Sequence, residues 1–253
     1  MAINNSGVAA NSGINLAAIS GDGRYIAFET LATNLVANDT NNQDDIFLRD
    51  TCIGAPAGCT ASVILVSANQ TGGVATGQSA FGTHFPSISG NGRFVLFKSD
   101  ATDMVAATIG GHPQIFLRDT CVGASGPCTP GTVMLSADAN GTAGNSDGNI
   151  NGLALLSDTG RYAAFSSLAT NLVPGATAGQ SYVEDTCFGA PPGCTLRLTI
   201  VSLDTQGNQL PPSINGIGSD GVPAISEDGH FAVLVKNDQS SQALQVFLAL
   251  TGF

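Results

Sequence analysis

One ten-residue passage is written four times in this chain. Ile19-Ser20-Gly21-Asp22-Gly23-Arg24-Tyr25-Ile26-Ala27-Phe28 recurs as Ile88–Phe97, as Leu156–Phe165 and, with more change, as Ile225–Leu234. The serines Ser20, Ser89, Ser157 and Ser226 stand 69, 68 and 69 residues apart. A fixed period of this kind marks one supersecondary unit repeated and stacked, because no unit can bury its own apolar face alone. The 253 residues therefore read as one array with a shared core rather than as two ordinary domains.

Within the first copy, Leu16–Ser20 is an apolar strand and Asp22-Gly23 a tight hairpin turn, where glycine supplies positive φ without steric cost. Strands over Tyr25–Thr30, Asp45–Asp50 and Ser62–Ser67 follow, and a glycine-rich crossing over 68–84 leads into the next copy. The second copy predicts strands over Phe85–Ser89, Phe94–Ser99, Gln114–Asp119 and Thr132–Ser136. The third predicts Leu153–Ser157, Tyr162–Ser167, Ser181–Asp185 and Leu196–Ser202. The fourth gives Val222–Ser226, Phe231–Lys236 and Gln245–Leu250, without a fourth strand. The expectation is an all-β chain of fifteen strands: a β-propeller of four-stranded antiparallel blades whose last blade lacks its outer strand. As one domain over 1–253, its repeats run about 16–84, 85–152, 153–221 and 222–253, preceded by 1–15. Ile3–Ala9 matches the crossing Asn69–Ala75, so the chain starts just after a fourth strand and stops just before one. One reading is a piece of a longer array, or closure of the last blade by the N-terminal segment. The other is an open edge that accepts a strand from another molecule.

The frame Ser-x-Asp-Gly-Arg-Tyr-x-Ala-Phe (Ser20–Phe28), with Ile46-Phe47-Leu48-Arg49-Asp50 after it, resembles the repeat of TolB-like β-propellers. The resemblance covers nearly the whole chain. It implies the propeller fold, but that family includes scaffolds, peptidase lids and lyases, so it does not choose a function. This chain departs from the family's repeat in its longer unit, in a cysteine hairpin between the third and fourth strands, and in having no tryptophan.

Six cysteines fall into three like-spaced pairs, Cys52/Cys59, Cys121/Cys128 and Cys187/Cys194, each in an Asp-Thr-Cys-x-Gly-Ala frame. Zinc usually takes tighter spacing and four converging ligands, and no histidine lies near any pair. Disulfides are the expectation, and they place the chain in an oxidising compartment: extracellular, cell-surface or periplasmic.

Charge narrows the partners. The net charge is −11 with only 8 Lys plus Arg, none clustered, which argues against nucleic acid and anionic membranes. No apolar run approaches the length of a membrane helix. Asp39, Asn41 and Asp45 form the one metal candidate, an oxygen-ligand calcium loop, though an ordinary polar turn is the favoured reading and no other cofactor is expected. His84, His112 and His230 occupy different repeat positions and read as structural. Asp22, Asp50, Asp119, Asp185 and Asp228 recur with the repeat, as do Arg24, Arg93 and Arg161, which fits strand-end bonds rather than one active site. Asn4, Asn38, Asn69 and Asn140 open Asn-x-Ser/Thr sequons in predicted loops. The leading functional expectation is a non-catalytic extracellular interaction module with a protein partner or a second copy of itself. The alternatives are a secreted hydrolase or lyase with a site at the propeller mouth, and a glycan-binding module. The latter is weakened by the lack of tryptophan and by only 3 tyrosines.

Overall fold

A computed structural model describes residues 2–76, 85–148, 154–211, 221–237 and 244–253. Its fifteen strands form three four-stranded antiparallel sheets and one three-stranded sheet, with no helix among the described residues. Blade one holds β1 (Ile14–Ile19), β2 (Tyr25–Thr30), β3 (Asp45–Asp50) and β4 (Ser62–Leu65). Blade two holds β5 (Ser87–Ile88), β6 (Phe94–Ser99), β7 (Gln114–Asp119) and β8 (Gly131–Met134). Blade three holds β9 (Leu155–Leu156), β10 (Tyr162–Ser167), β11 (Gln180–Asp185) and β12 (Arg197–Ile200). Blade four holds β13 (Gly221–Ile225), β14 (Phe231–Asn237) and β15 (Leu244–Leu250). Strands pair in chain order within each sheet, and the inner strands β1, β5, β9 and β13 abut one another in turn.

The second and third strands match their sequence reading closely, whereas the inner strands of blades two and three shorten to two residues each. The turn that follows is built from side chains. Ser20 Oγ donates to Asp22 Oδ1 (2.5 Å), the Arg24 amide donates to the same oxygen (3.0 Å), and the Tyr25 amide donates to Ser20 Oγ (2.9 Å). Side chains thus replace the ladder where the inner strand ends. Ser89/Asn91 and Ser226/Asp228 repeat the device.

Each blade buries one face against the next. Tyr25, Ala27, Ile46 and Leu48 of blade one pack on Val95, Phe97 and Phe116 of blade two. Phe94, Leu96, Ile115 and Leu117 of blade two pack on Ala163, Phe165 and Tyr182 of blade three. Ala164 and Val183 of blade three meet Ala232, Leu234, Phe247 and Ala249 of blade four. The two faces of a strand alternate, so every second residue serves a different neighbour.

A small hairpin introduces each blade. Its bridges are Ile3–Ala9, Ala68–Val74, Ala137–Ala143 and Leu203–Gln209. In all four an Asn or Asp oxygen accepts two backbone amides: Asn4 from Ser6 and Val8, Asn69 from Thr71 and Gly73, Asp138 from Asn140 and Thr142, Asp204 from Gln206 and Asn208. The N-terminal segment is thus a copy of the crossing, as its sequence suggested. The pairing sets Ile3 against Ala68, one residue away from the register read in the sequence.

Candidate functional site

The recurring polar residues converge at one end of each blade. Arg24 donates through Nε and Nη2 to both oxygens of Asp50 (2.8 and 2.7 Å), and Cys52 adds its amide to Asp50 Oδ1 (2.8 Å). The Arg24 hydrogen bonds hold the Asp50 carboxyl below the usual carboxylate range. Arg93–Asp119 and Arg161–Asp185 repeat this two-point geometry. Each arginine also lies over the aromatic that follows it, Tyr25, Phe94 or Tyr162. The pairs are within a blade, bridging the start of its second strand and the end of its third.

The three disulfides sit just beyond these pairs, joining Cys52–Cys59, Cys121–Cys128 and Cys187–Cys194. Cys52, Cys121 and Cys187 all hold positive φ, and Gly252 takes the same place in copy four. Copy four has also lost both halves of the ion pair, since His230 stands for the arginine and Leu250 for the aspartate. Losing both avoids leaving either charge without its partner.

Between the turns of blades two, three and four lies a cleft of about 680 Å³, lined by Arg93, Arg161, Tyr162, Glu227, Asp228 and His230 among others. Its charged groups are largely committed. The two arginines hold their aspartates, Glu227 accepts the amides of Asp158 (2.6 Å) and Thr159 (3.0 Å), and Asp228 accepts Ser226 Oγ (2.6 Å) and the His230 amide (3.0 Å). Acid–base work needs a carboxylate and a base aimed at a shared substrate position. Here Glu227 is turned to backbone amides and Asp228 to a backbone amide and a serine hydroxyl.

The other sequence candidates are dispersed. In the calcium candidate, Asn41 Nδ2 donates to Asp45 Oδ2 (2.9 Å) and to the Ala75 carbonyl (3.3 Å), and Ser67 Oγ donates to Asp45 Oδ1 (2.5 Å). Asp39 is buried, its carboxyl pushed up to about 6 by burial and by the Asp45 charge. His112 meets Asp147 at 3.0 Å, and both are half exposed. His84 lies outside the described residues. Of the sequon asparagines, Asn38 and Asn140 are exposed, while Asn4 and Asn69 spend their side-chain amides on the Asn34 and Val74 carbonyls.

One exposed apolar surface was missed by the sequence reading. Tyr25, Phe94 and Tyr162 each lie against the turn glycine of the next blade: a Cβ on Gly92, Gly160 or Gly229 would fall 2.2, 2.3 or 2.5 Å from the ring. The series is open at both ends. Phe231, the fourth aromatic, is 44% exposed, and nothing lies within 4 Å of a Cβ on Gly23, the first glycine. Around Phe231 the forward face of blade four exposes Val233, Val246, Leu248 and Leu250, with Leu248 at 69% where its counterparts Leu48, Leu117 and Val183 are buried. On the far side of blade one Ile19 is 61% exposed, whereas its counterpart Ile88 is 8%. A signal was present: Val246–Leu250 is apolar at every position, the mark of a strand covered on both faces.

No family model matches the sequence, and no curated protein matches it. Among solved structures, TolB from Acinetobacter baumannii is similar at 16% identity, over 97% of this chain and 43% of that one, with a TM-score of 0.44. Hydrazine synthase from Kuenenia stuttgartiensis gives 12%, 94%, 59% and 0.43 for the same measures. The β-propeller domain of the Trilobed protease from Pyrococcus furiosus, described as having an open velcro topology, gives 11%, 94%, 68% and 0.39. The chain resembles TolB-like β-propellers in fold. It spans less than half the length of the TolB chain.

Proposed function

We propose that this protein is a non-catalytic extracellular propeller module that works by binding another protein through its unfinished fourth blade, and that a second copy of the chain is a partner. The carrying observation is the series of aromatics seated on glycines, which ends in an exposed Phe231 and begins at an uncovered Gly23. The forward face of blade four repeats the chemistry of three faces that are buried on a following blade. On the rear of blade one Ile19 is open where its counterpart Ile88 is buried, while Phe28 and Phe47 are already covered by neighbours that include Ala2 and Ala10. Joining the two is a head-to-tail contact, which extends rather than closes unless its rotation completes a ring. The outer edge of β15, unpaired among the described residues, offers the same partner a ladder to join. Full burial of Val, Leu or Phe side chains gives about 1.5–3 kcal/mol each. Covering Val246, Leu248 and Leu250, the three that are mostly exposed, gives about 5–9 kcal/mol, within the cost of association of about 4–15 kcal/mol.

The test is mass by light scattering across a concentration series. Wild type should grow with concentration, and Leu248→Glu and Ile19→Glu should each stay monomeric. An equimolar mixture of the two variants should form dimers and nothing larger, because each retains one intact face. A wild-type chain that remains monomeric throughout would end this reading.

A further inference from the structure

Blade three differs from its neighbours at one buried position. The residue before the strand-end aspartate is Arg49 in β3 and Arg118 in β7, but Glu184 in β11. In blade one, Arg49 Nη1 donates to the Ile3 carbonyl of the introducing hairpin (3.2 Å). Asn5 of that hairpin donates to the Val63 carbonyl (3.2 Å) and accepts the Val63 amide (2.7 Å), so two polar clips fasten hairpin to blade. In blade two, Arg118 donates to Thr132 Oγ1 on the adjoining strand (3.0 Å). Blade three has neither clip. Its hairpin carries Ala137 in the place of Ile3 and Ala139 in the place of Asn5, and glutamate replaces arginine.

A cleft of about 730 Å³ opens where those clips would stand, between the hairpin, the 170–175 loop and strands β11–β12. Ala139, Asn140, Thr170, Asn171, Glu184 and Arg197 are among its lining residues. Glu184 is only 6% exposed, and its Oε2 has no hydrogen-bond partner among the described residues. Arg197 does not supply one: its Nη1 donates to the Gly252 carbonyl (2.9 Å) and its guanidinium lies over Phe253. Asp138 of the hairpin is turned to the backbone amides of Asn140 and Thr142, and the neighbouring Asp185 is held by Arg161. A buried carboxylate left without a partner is costly, and the expense is avoided only by a proton or by a cation with hydrogen-bond donors.

We propose that this cleft is a binding site for a cationic side chain, with the guanidinium or ammonium group of a peptide ligand pairing with Glu184 where blade one uses its own arginine. The acidic chain favours such a partner at long range, with a net charge of −11. A guanidinium fits the carboxylate at two points, so arginine is the preferred donor over lysine. Burial, and secondarily the Asp185 charge, push the Glu184 carboxyl up to about 8. The unliganded glutamic acid is therefore mostly protonated at pH 7, and cation binding expels that proton. Affinity for a cation should rise about tenfold per pH unit below about 8 and level off above it.

The experiment is calorimetric titration with N-acetylarginine amide, N-acetyllysine amide and the neutral N-acetylcitrulline amide at pH 6.5, 7.5 and 8.5. The arginine probe should bind best, with affinity rising with pH, and the citrulline probe should not bind. Glu184→Gln should lose at least tenfold in arginine affinity. At pH 6.5 it should melt close to wild type, since the protonated acid and the amide are both neutral and nearly the same size. Ala139→Asn narrows the cleft without touching the carboxylate and should also weaken binding. Equal binding of arginine and citrulline, binding unchanged in Glu184→Gln, or no binding of the arginine probe at millimolar concentration would each overturn the assignment.

Discussion

Substituting alanine for Gly92 and, separately, for Gly23 isolates what one blade-to-blade contact contributes. The two glycines occupy the same place in consecutive turns, with φ of 77° and 73°. Both substitutions place a Cβ in the left-handed region, at roughly 1–2 kcal/mol, partly offset by reduced freedom of the unfolded chain. Only Gly92 meets a neighbour: its Cβ would lie 2.2, 2.4 and 2.8 Å from Cδ2, Cγ and Cβ of Tyr25, a side chain 4% exposed. Crowding a packed core costs a further 1–3 kcal/mol or so. Gly92→Ala should thus be less stable than Gly23→Ala by about 1–3 kcal/mol, or roughly 2–10 °C in melting temperature for a chain of this length. Urea unfolding and calorimetry at low protein concentration, where copies are separate, supply the comparison. In a Tyr25→Ala background the Gly92 penalty should fall to the Gly23 value. Equal destabilisation by the two substitutions in the wild-type background would refute the claim that the aromatic-on-glycine seat holds adjacent blades together.

Reduction should raise the mass of the oxidised protein by six hydrogen atoms, two for each of the three disulfides, with an expected loss of roughly 2.5 kcal/mol for each eight-residue loop in the chain-entropy model; six free thiols before reductant would contradict the pairing. At the Asp39, Asn41 and Asp45 loop, both Asp45 oxygens are already engaged by Asn41 and Ser67. Millimolar calcium should therefore leave the melting temperature unchanged, and a rise that disappears in Asp45→Asn would assign the loop to the metal instead.

Much of the architecture was legible because its causes are local. Asp22-Gly23 dictates a turn whatever lies beyond it, and the short apolar runs Tyr25–Phe28 and Ile46–Leu48 specify strands covered on both faces. The cysteine pairs stand seven residues apart, so their joining needs only a loop reversal. Inner strands β5 and β9 were read too long at both ends: Ser89 and Ser157 belong to the turn, where their hydroxyls accept the Phe94 and Tyr162 amides, and pairing begins only at Ser87 and Leu155.

The site was far less legible. Copy four's changes to His230 and Leu250 were visible, and so was Glu184 among arginines, but their meaning depends on what stands opposite. Periodicity shows that a strand has two faces and cannot say which one is covered. Blade stacking left Val246, Leu248 and Leu250 outside while their alternates Phe247 and Ala249 went inside. Likewise a glutamate in a strand is unremarkable until the hairpin laid over it proves to carry Ala139 rather than a polar partner. The sequence by itself determined the repeat, the turns, the strands and the disulfide pairs, since each rests on contacts within a few residues. Which face stayed open and which carboxylate stayed alone were decided by contacts between segments tens of residues apart, which exist only once the blades have stacked.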